Sequence, residues 1–205
     1  MKEVSASSKV NTLGEEVGAV VKPFTPKKIG LANGEIAYQS KWGELVRSPK
    51  YLDGAGEIKW PVANGFIVDK TGRAITINAD LKAGQIVDRY GDAGGRFTSP
   101  VESGKILDYD TRGLPYPESS MKYHQYEVLK DITETNIKTA YSKSSKEVQN
   151  KIDDIMEEWG LSFEDLANPQ RGDVAQVFGA GGGAQIRFTT SVKYYEQLGL
   201  IKEVK

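Results

Sequence analysis

The 205-residue chain contains no cysteine and a single histidine, His124. The first absence excludes a disulfide framework, a thiol nucleophile and every cysteine-based zinc site. The second excludes a histidine-rich metal centre and acid/base chemistry built on two histidines, so no metal site is expected. An excess of charge of either sign is also lacking. Lys and Arg number 27 against 28 Asp and Glu, a formal net charge of −1. Non-specific nucleic-acid binding needs a basic face to displace counterions, and so does adhesion to an anionic membrane; neither partner is expected. No apolar run approaches the roughly 18 residues of a membrane span, so no membrane anchor is expected. The start, MKEVSASSKVNTLGEEVG, lacks the apolar middle of a signal peptide. The chain then either stays inside the cell or is the released end of a larger protein exported by other means. Its length fits one domain, or one domain and a tail, with enough residues to bury a core unaided.

What is present divides near residue 55. Residues 1–55 hold Ser, Lys, Gly and Pro in no period, around KPFTPKK, and read as an irregular leader or linker. Within it, IGLANGEIAY has the composition of a hairpin turn at Asn33-Gly34. Ordered sequence is expected from 56 to 205. Strands are predicted at Gln85–Tyr90, through Arg96 and Phe97, over KYHQYEV, at VAQVF, at AQIRFTT and at LIKEV. From Ser144 to Gly160 the period changes. Val148, Ile152, Ile155, Met156 and Trp159 line one helical face, Ser144 with Glu147 reads as a capping box, and Gly160 suits the left-handed stop. A short helix is expected over 191–198. Strands outnumber helices and no βαβ rhythm is present, so the fold class is α+β with a mainly antiparallel sheet.

Five features bear on chemistry. The run Gly179-Ala180-Gly181-Gly182-Gly183 is either a hairpin loop or a nest of amides for phosphate; it matches neither the Walker pattern nor GxGxxG. If residues 184–189 form a strand, Gln185, Arg187 and Thr189 share one face, and a glutamine there can orient a water or a ribose hydroxyl. Arg89, on the face of Val87, is either a phosphate clamp or half of an ion pair. Phe97 is either core or a stacking platform. His124, on the face of Tyr126 and Val128, is either a hydrogen-bonded structural residue or a titrating active-site group. Trp60-Pro61 and Arg112-Gly113-Leu114-Pro115 read as rigid corners. There is no Ser-His-Asp triad, no pair of catalytic carboxylates and no metal constellation.

The run WPVANGF, LKAGQIVDRYGDAGGRFTSP, RGLPY, YHQYEV and FGAGGGAQIRF, in that order, resembles the TNT (tuberculosis necrotizing toxin) domain family from about Ile58 onward. The resemblance implies a twisted, mainly antiparallel sheet with a cleft, distantly like ADP-ribosyltransferases, here with a helical insertion near 139–169. It implies an NAD glycohydrolase that cleaves nicotinamide from NAD, and from NADP, leaving ADP-ribose; both are substrates, so no cofactor is expected. The same resemblance implies contacts from Arg89 to the phosphates, from Phe97 to the nicotinamide side and from Gln185 to the scissile ribose. His124 is implied in the active site, and Gly181, Gly182, Gly183 and Arg187 complete the expected substrate-binding set. The family's settings imply a delivered toxin module at the C-terminal end of a larger exported protein. It would act in a target-cell cytoplasm and be restrained by a cognate immunity protein. The alternatives are an ADP-ribosyltransferase toxin, for which no matching glutamate is found, and a non-catalytic module that binds NAD or ADP-ribose.

Overall fold

A computed structural model describes residues 22–205. Strands β1 (Lys27–Gly30), β2 (Ile36–Gln39) and β3 (Leu45–Val46) form an antiparallel three-stranded sheet. Its first turn is the one expected at Asn33-Gly34: Gly34 has φ +85°, which only glycine adopts cheaply, and the Asn33 side chain accepts from the Glu35 amide. The irregular leader expected over 1–55 is thus corrected for its second half, while its first 21 residues lie outside the described residues. The sequence signal was weak because these strands are two to four residues long and carry few inward positions. Their packing partners arrive from far along the chain. Val46, Leu52, Ile58 and Phe178 are buried together, with Phe24, Tyr38, Tyr51 and Tyr116 against them.

The main sheet has seven strands. In chain order they are β4 (Ile77–Asn78), β5 (Ile86–Tyr90), β6 (Phe97–Val101), β7 (Tyr123–Val128), β8 (Gln170–Asp173), β9 (Ala184–Arg187) and β10 (Ile201–Glu203). Their spatial order is β10-β7-β5-β6-β9-β8-β4, and every neighbouring pair is antiparallel. The α+β class with an antiparallel sheet is therefore as expected. The strand expected at VAQVF is not formed. The ladder runs over Gln170–Asp173 instead, and after Val174 the chain turns away so that Phe178 enters the second cluster.

Register assigns the faces. Val87 pairs with Tyr126, and Asp88 with Gln125 and Ser99; Phe97 pairs with Arg187. One face therefore carries Val87, Tyr126, Val128 and Ile186, all buried in the main core. The other carries Asp88, Tyr90, Phe97, Ser99, Gln185 and Arg187. The helices cover the first face: α1 (Glu134–Lys143), α2 (Lys146–Trp159), α3 (Phe163–Leu166) and α4 (Val192–Gln197). Ile137, Ile152, Leu166, Val192 and Tyr195 are their buried contributions. The helical segment opens at Glu134 rather than near 139. The start of α2 is also one residue later than expected: Ser145 accepts from the Val148 amide, while Ser144 ends α1 and donates its hydroxyl to the Ala140 carbonyl at 2.8 Å. Gly160, at φ +62°, ends α2 as expected. Ile152 is fully buried, but Trp159 at the last turn remains 43% exposed.

Candidate active-site cleft

The sheet face left free by the helices opens into a cleft of about 270 Å³. Its floor is the adjacent strands β5, β6 and β9, with Asp88, Phe97, Ser99 and Gln185. Its rims are loops, one bearing Trp60, Asn64 and Gly65, another Arg112 and Leu114, a third Val174 and Val177. Apolar walls around a few convergent polar groups are the usual make-up of a small-molecule site.

The strongest electrostatic feature is a buried pair. Arg112 donates from Nη1 to Asp88 Oδ1 at 2.5 Å and from Nη2 to Oδ2 at 2.9 Å, and its Nε donates to the Leu107 carbonyl. The side chains are 4% and 0% exposed. Tyr123 adds a hydroxyl donor to Asp88 Oδ2 at 2.8 Å. Burial, together with that bond, pushes the Tyr123 hydroxyl up to about 12, so it donates throughout the ordinary pH range. The Arg112 guanidinium also lies 5.2 Å over the Tyr90 ring. Burial first, then its bond to Glu118, raises the Tyr90 hydroxyl well above its usual range.

Gln185, on β9, is 8% exposed at the cleft floor. Its Nε2 donates to the Asn64 carbonyl at 3.1 Å. That bond fixes the amide plane, and no hydrogen bond from a described residue reaches Oε1. Phe97 lines the same cleft two positions from Ser99, on the same face as Gln185 and Arg187. Asn64 sits at φ +57°, a left-handed conformation that asparagine tolerates better than most residues.

Arg89 also lines the cleft, but its guanidinium is engaged with the following turn. Nε donates to the Gly91 carbonyl at 3.1 Å and Nη1 to the Phe97 carbonyl at 2.8 Å. A Cβ on Gly95 would lie 2.1 Å from its Nη2, which is why this turn is glycine-rich. Burial lowers the Arg89 pKa, with a partial offset from Tyr126 and Asp92. His124 faces Arg89 across β5–β7 and is not among the cleft-lining residues. Its Nδ1 meets Glu203 Oε1 on β10 at 2.6 Å, so it belongs to the sheet edge.

The glycine run does not present free amides to the cleft. The Ala180 amide donates to Asp110 Oδ2, Gly181 and Gly183 donate to the carbonyls of Asp110 and Thr111, and Gly182 donates to Val174. The glycines allow close approach: a Cβ on Gly183 would lie 2.7 Å from the Thr111 carbonyl oxygen. The turn thus locks the start of β9, and Gly181, Gly182 and Gly183 reach the site only through Gln185. Arg47 reinforces the lock from the small sheet. It donates to Asp110 at 2.5 Å and to the Phe178 carbonyl at 2.7 Å, holding the Asp110 carboxyl below its usual range.

The structure therefore brings Arg89, Phe97 and Gln185 to one cleft, sets Arg187 beside Phe97 on the same sheet face but outside the cleft lining, and leaves His124 on the opposite face of β7, bonded to Glu203 of β10. Sequence reasoning missed Asp88, Arg112, Trp60 and Asn64. The available signal was Asp88 itself, since a carboxylate inside an otherwise inward-packed strand requires a cation nearby.

The family profile described as Tuberculosis necrotizing toxin, TNT, matches residues 80–151. The conidial surface nicotinamide adenine dinucleotide glycohydrolase of Aspergillus fumigatus is 31% identical over 123 residues, covering 52% of this chain. The chain spans about half the length of that relative, 49%. A solved structure of tuberculosis necrotizing toxin, complexed with its immunity factor, aligns at a TM-score of 0.45 and 14% identity, over 78% of this chain and 68% of that one. The segment that supplies Asp88, Arg89, Phe97 and Arg112 to the cleft lies wholly within residues 80–151, the stretch that matches the TNT family profile.

Proposed function

We propose that this chain is an NAD glycohydrolase that hydrolyses the bond between nicotinamide and ribose in NAD and NADP. The observation that carries the reading is Gln185: a buried amide, fixed by Asn64, with Oε1 accepting from no donor among the described residues, at the floor of a cleft. Oε1 accepts a hydrogen bond from the attacking water or from a ribose hydroxyl. The name and partial identity of the Aspergillus relative support the same reaction.

The cleft chemistry is compatible with it. Nicotinamide leaves as a neutral molecule from a cationic ring, through an oxocarbenium-like state, and needs no proton donor. Asp88 is the one carboxylate among the described cleft-lining residues, and its oxygens are engaged by Arg112 and Tyr123. No group there is set up as a general acid. Phe97 offers a ring to the nicotinamide, and the bound geometry supplies alignment. In this reading the chain acts as an exported effector restrained by an immunity protein, with NAD or NADP as substrate. The cell-surface setting in the relative's name supports export. Among the described residues no helix is long and apolar enough to cross a membrane.

Nicotinamide release from NAD by the purified protein tests the reading. Gln185→Ala is expected to lower turnover on the order of 100-fold, the scale of losing one preorganised polar group. Full turnover by a folded Gln185→Ala variant overturns the role of Gln185. Labelled ADP-ribose appearing on protein rather than free in solution overturns hydrolysis in favour of transfer.

A further inference from the structure

The arginines in and around the cleft differ in how their charges are met; Arg89 and Arg112 line it, and Arg47, Arg96 and Arg187 lie outside the lining. Arg112 has Asp88 and Arg47 has Asp110. Arg89 is bonded to two carbonyls of its own turn. Arg96 and Arg187 have no carboxylate partner in any ion pair of the described residues. Arg187 Nε is buried with no hydrogen-bond partner. Arg96 makes only long contacts, 3.5 Å to the Thr189 carbonyl and 3.4 Å to Asn64 Oδ1, and stacks its guanidinium between Phe97 at 5.7 Å and Trp159 at 5.6 Å. Burial lowers the Arg187 pKa, and the nearby Arg96 charge lowers it further. Two partly desolvated cations side by side are costly without an anion between them.

Their position relative to Gln185 is set by the sheet. Arg187 lies two residues along β9 on the same face, about 7 Å away at the usual strand rise. Phe97 is its direct cross-strand partner, and Arg96 precedes Phe97. Asn64 touches both ends, bonding Gln185 through its carbonyl and Arg96 through its side chain.

We propose that Arg96 and Arg187, which lie outside the cleft lining but against its residues Phe97 and Asn64, together form a diphosphate clamp at the cleft margin, about one sugar ring from the bond that Gln185 addresses. The assignment deepens the glycohydrolase reading and rests on it for the identity of the whole ligand. It moves the phosphate contact from Arg89, which holds the Gly91–Phe97 turn, to the unneutralised pair. Guanidinium forks suit phosphate oxygens, and two of them match the two charges of a dinucleotide's diphosphate.

The test is calorimetric binding of inorganic pyrophosphate and of ADP-ribose to the wild-type chain, Arg96→Gln and Arg187→Gln, with NAD turnover measured alongside. Each substitution is expected to weaken both anions about 10- to 100-fold, the worth of one charge-assisted hydrogen bond. The KM for NAD rises with it, and the KM for nicotinamide riboside, which has no diphosphate, stays unchanged. Arg96 is the safer position if Arg187→Gln fails to fold, because its side chain makes no short bond. Unchanged pyrophosphate and ADP-ribose affinity in folded Arg96→Gln overturns the clamp, as does failure of the wild type to bind either. A loss confined to NADP, with NAD unaffected, also overturns it, because the pair then reads the 2′-phosphate. Pyrophosphate binding that depends on both arginines, without nicotinamide release, keeps the clamp and defeats the glycohydrolase reading.

Discussion

Arg112→Met is the most informative single perturbation of the cleft wall. Methionine has a similar reach and no charge. It removes both bonds of the bidentate pair and leaves the Asp88 carboxylate, 0% exposed, with Tyr123 as its remaining side-chain donor. Breaking a buried pair from one side costs about 3–5 kcal/mol, because the orphaned charge stays desolvated. In a domain of this size that corresponds to a fall in melting temperature of about 10 °C or more. Urea denaturation followed by far-ultraviolet circular dichroism reads the free energy, and the slope of the transition checks that the native state is otherwise unchanged. The double variant Asp88→Leu with Arg112→Met removes both charges and is expected to recover a large part of the loss. A single variant within about 1 kcal/mol of wild type, or a double variant as unstable as Arg112→Met, refutes the reasoning. The first result would mean that water or a rearranged side chain reaches Asp88, the second that packing rather than charge sets the cost.

Other expectations follow from the same geometry. Gly183→Ala forces a Cβ to 2.7 Å from the Thr111 carbonyl, so it should cost about 1–3 kcal/mol and slow any turnover that depends on Gln185, both read on one purified variant. Ile152→Ala empties a fully buried site on α2 in the main core and should cost about 2–5 kcal/mol by urea denaturation, with substrate KM unchanged. Glu196 has a raised pKa, chiefly through burial, so just above pH 4.5 the native chain binds its proton more fully than the unfolded chain does. Its contribution to stability therefore falls as pH rises past the ordinary value of 4.5. Glu196→Gln should raise the melting temperature at neutral pH and leave it unchanged in acid below that value; equal melting at neutral pH refutes the sign.

The sequence made the long-period and strongly patterned elements legible. The α2 stripe from Val148 to Met156, the β7 run of aromatic and branched residues, and the order of motifs across 85–128 all rest on local side-chain chemistry. The small sheet was not legible, because the partners of Val46 and Leu52 include Phe178, more than 120 positions away. The site was half legible. Strand alternation set the face of Gln185, and the site role of Phe97 came only with the family resemblance. The roles of Arg89 and the glycine run depended on where carbonyl groups lie, which side-chain patterns do not report. The Arg112–Asp88 pair was hidden because RGLP reads as a corner, and only folding brings it under β5.

Trp60 and Trp159 are two of three tryptophans in the chain; one lines the cleft and the other meets an arginine of the proposed clamp. Trp60 lines the cleft and is 59% exposed, and Trp159 is 43% exposed beneath the Arg96 guanidinium. The third, Trp42, lies outside the cleft lining and is 72% exposed. The molecule thus carries its own optical reporter of occupancy. With Trp42→Phe to remove background, intrinsic fluorescence can follow filling of the cleft in real time on unlabelled protein, and loss of Trp60 or Trp159 separates a signal from the cleft from one at the Arg96 guanidinium.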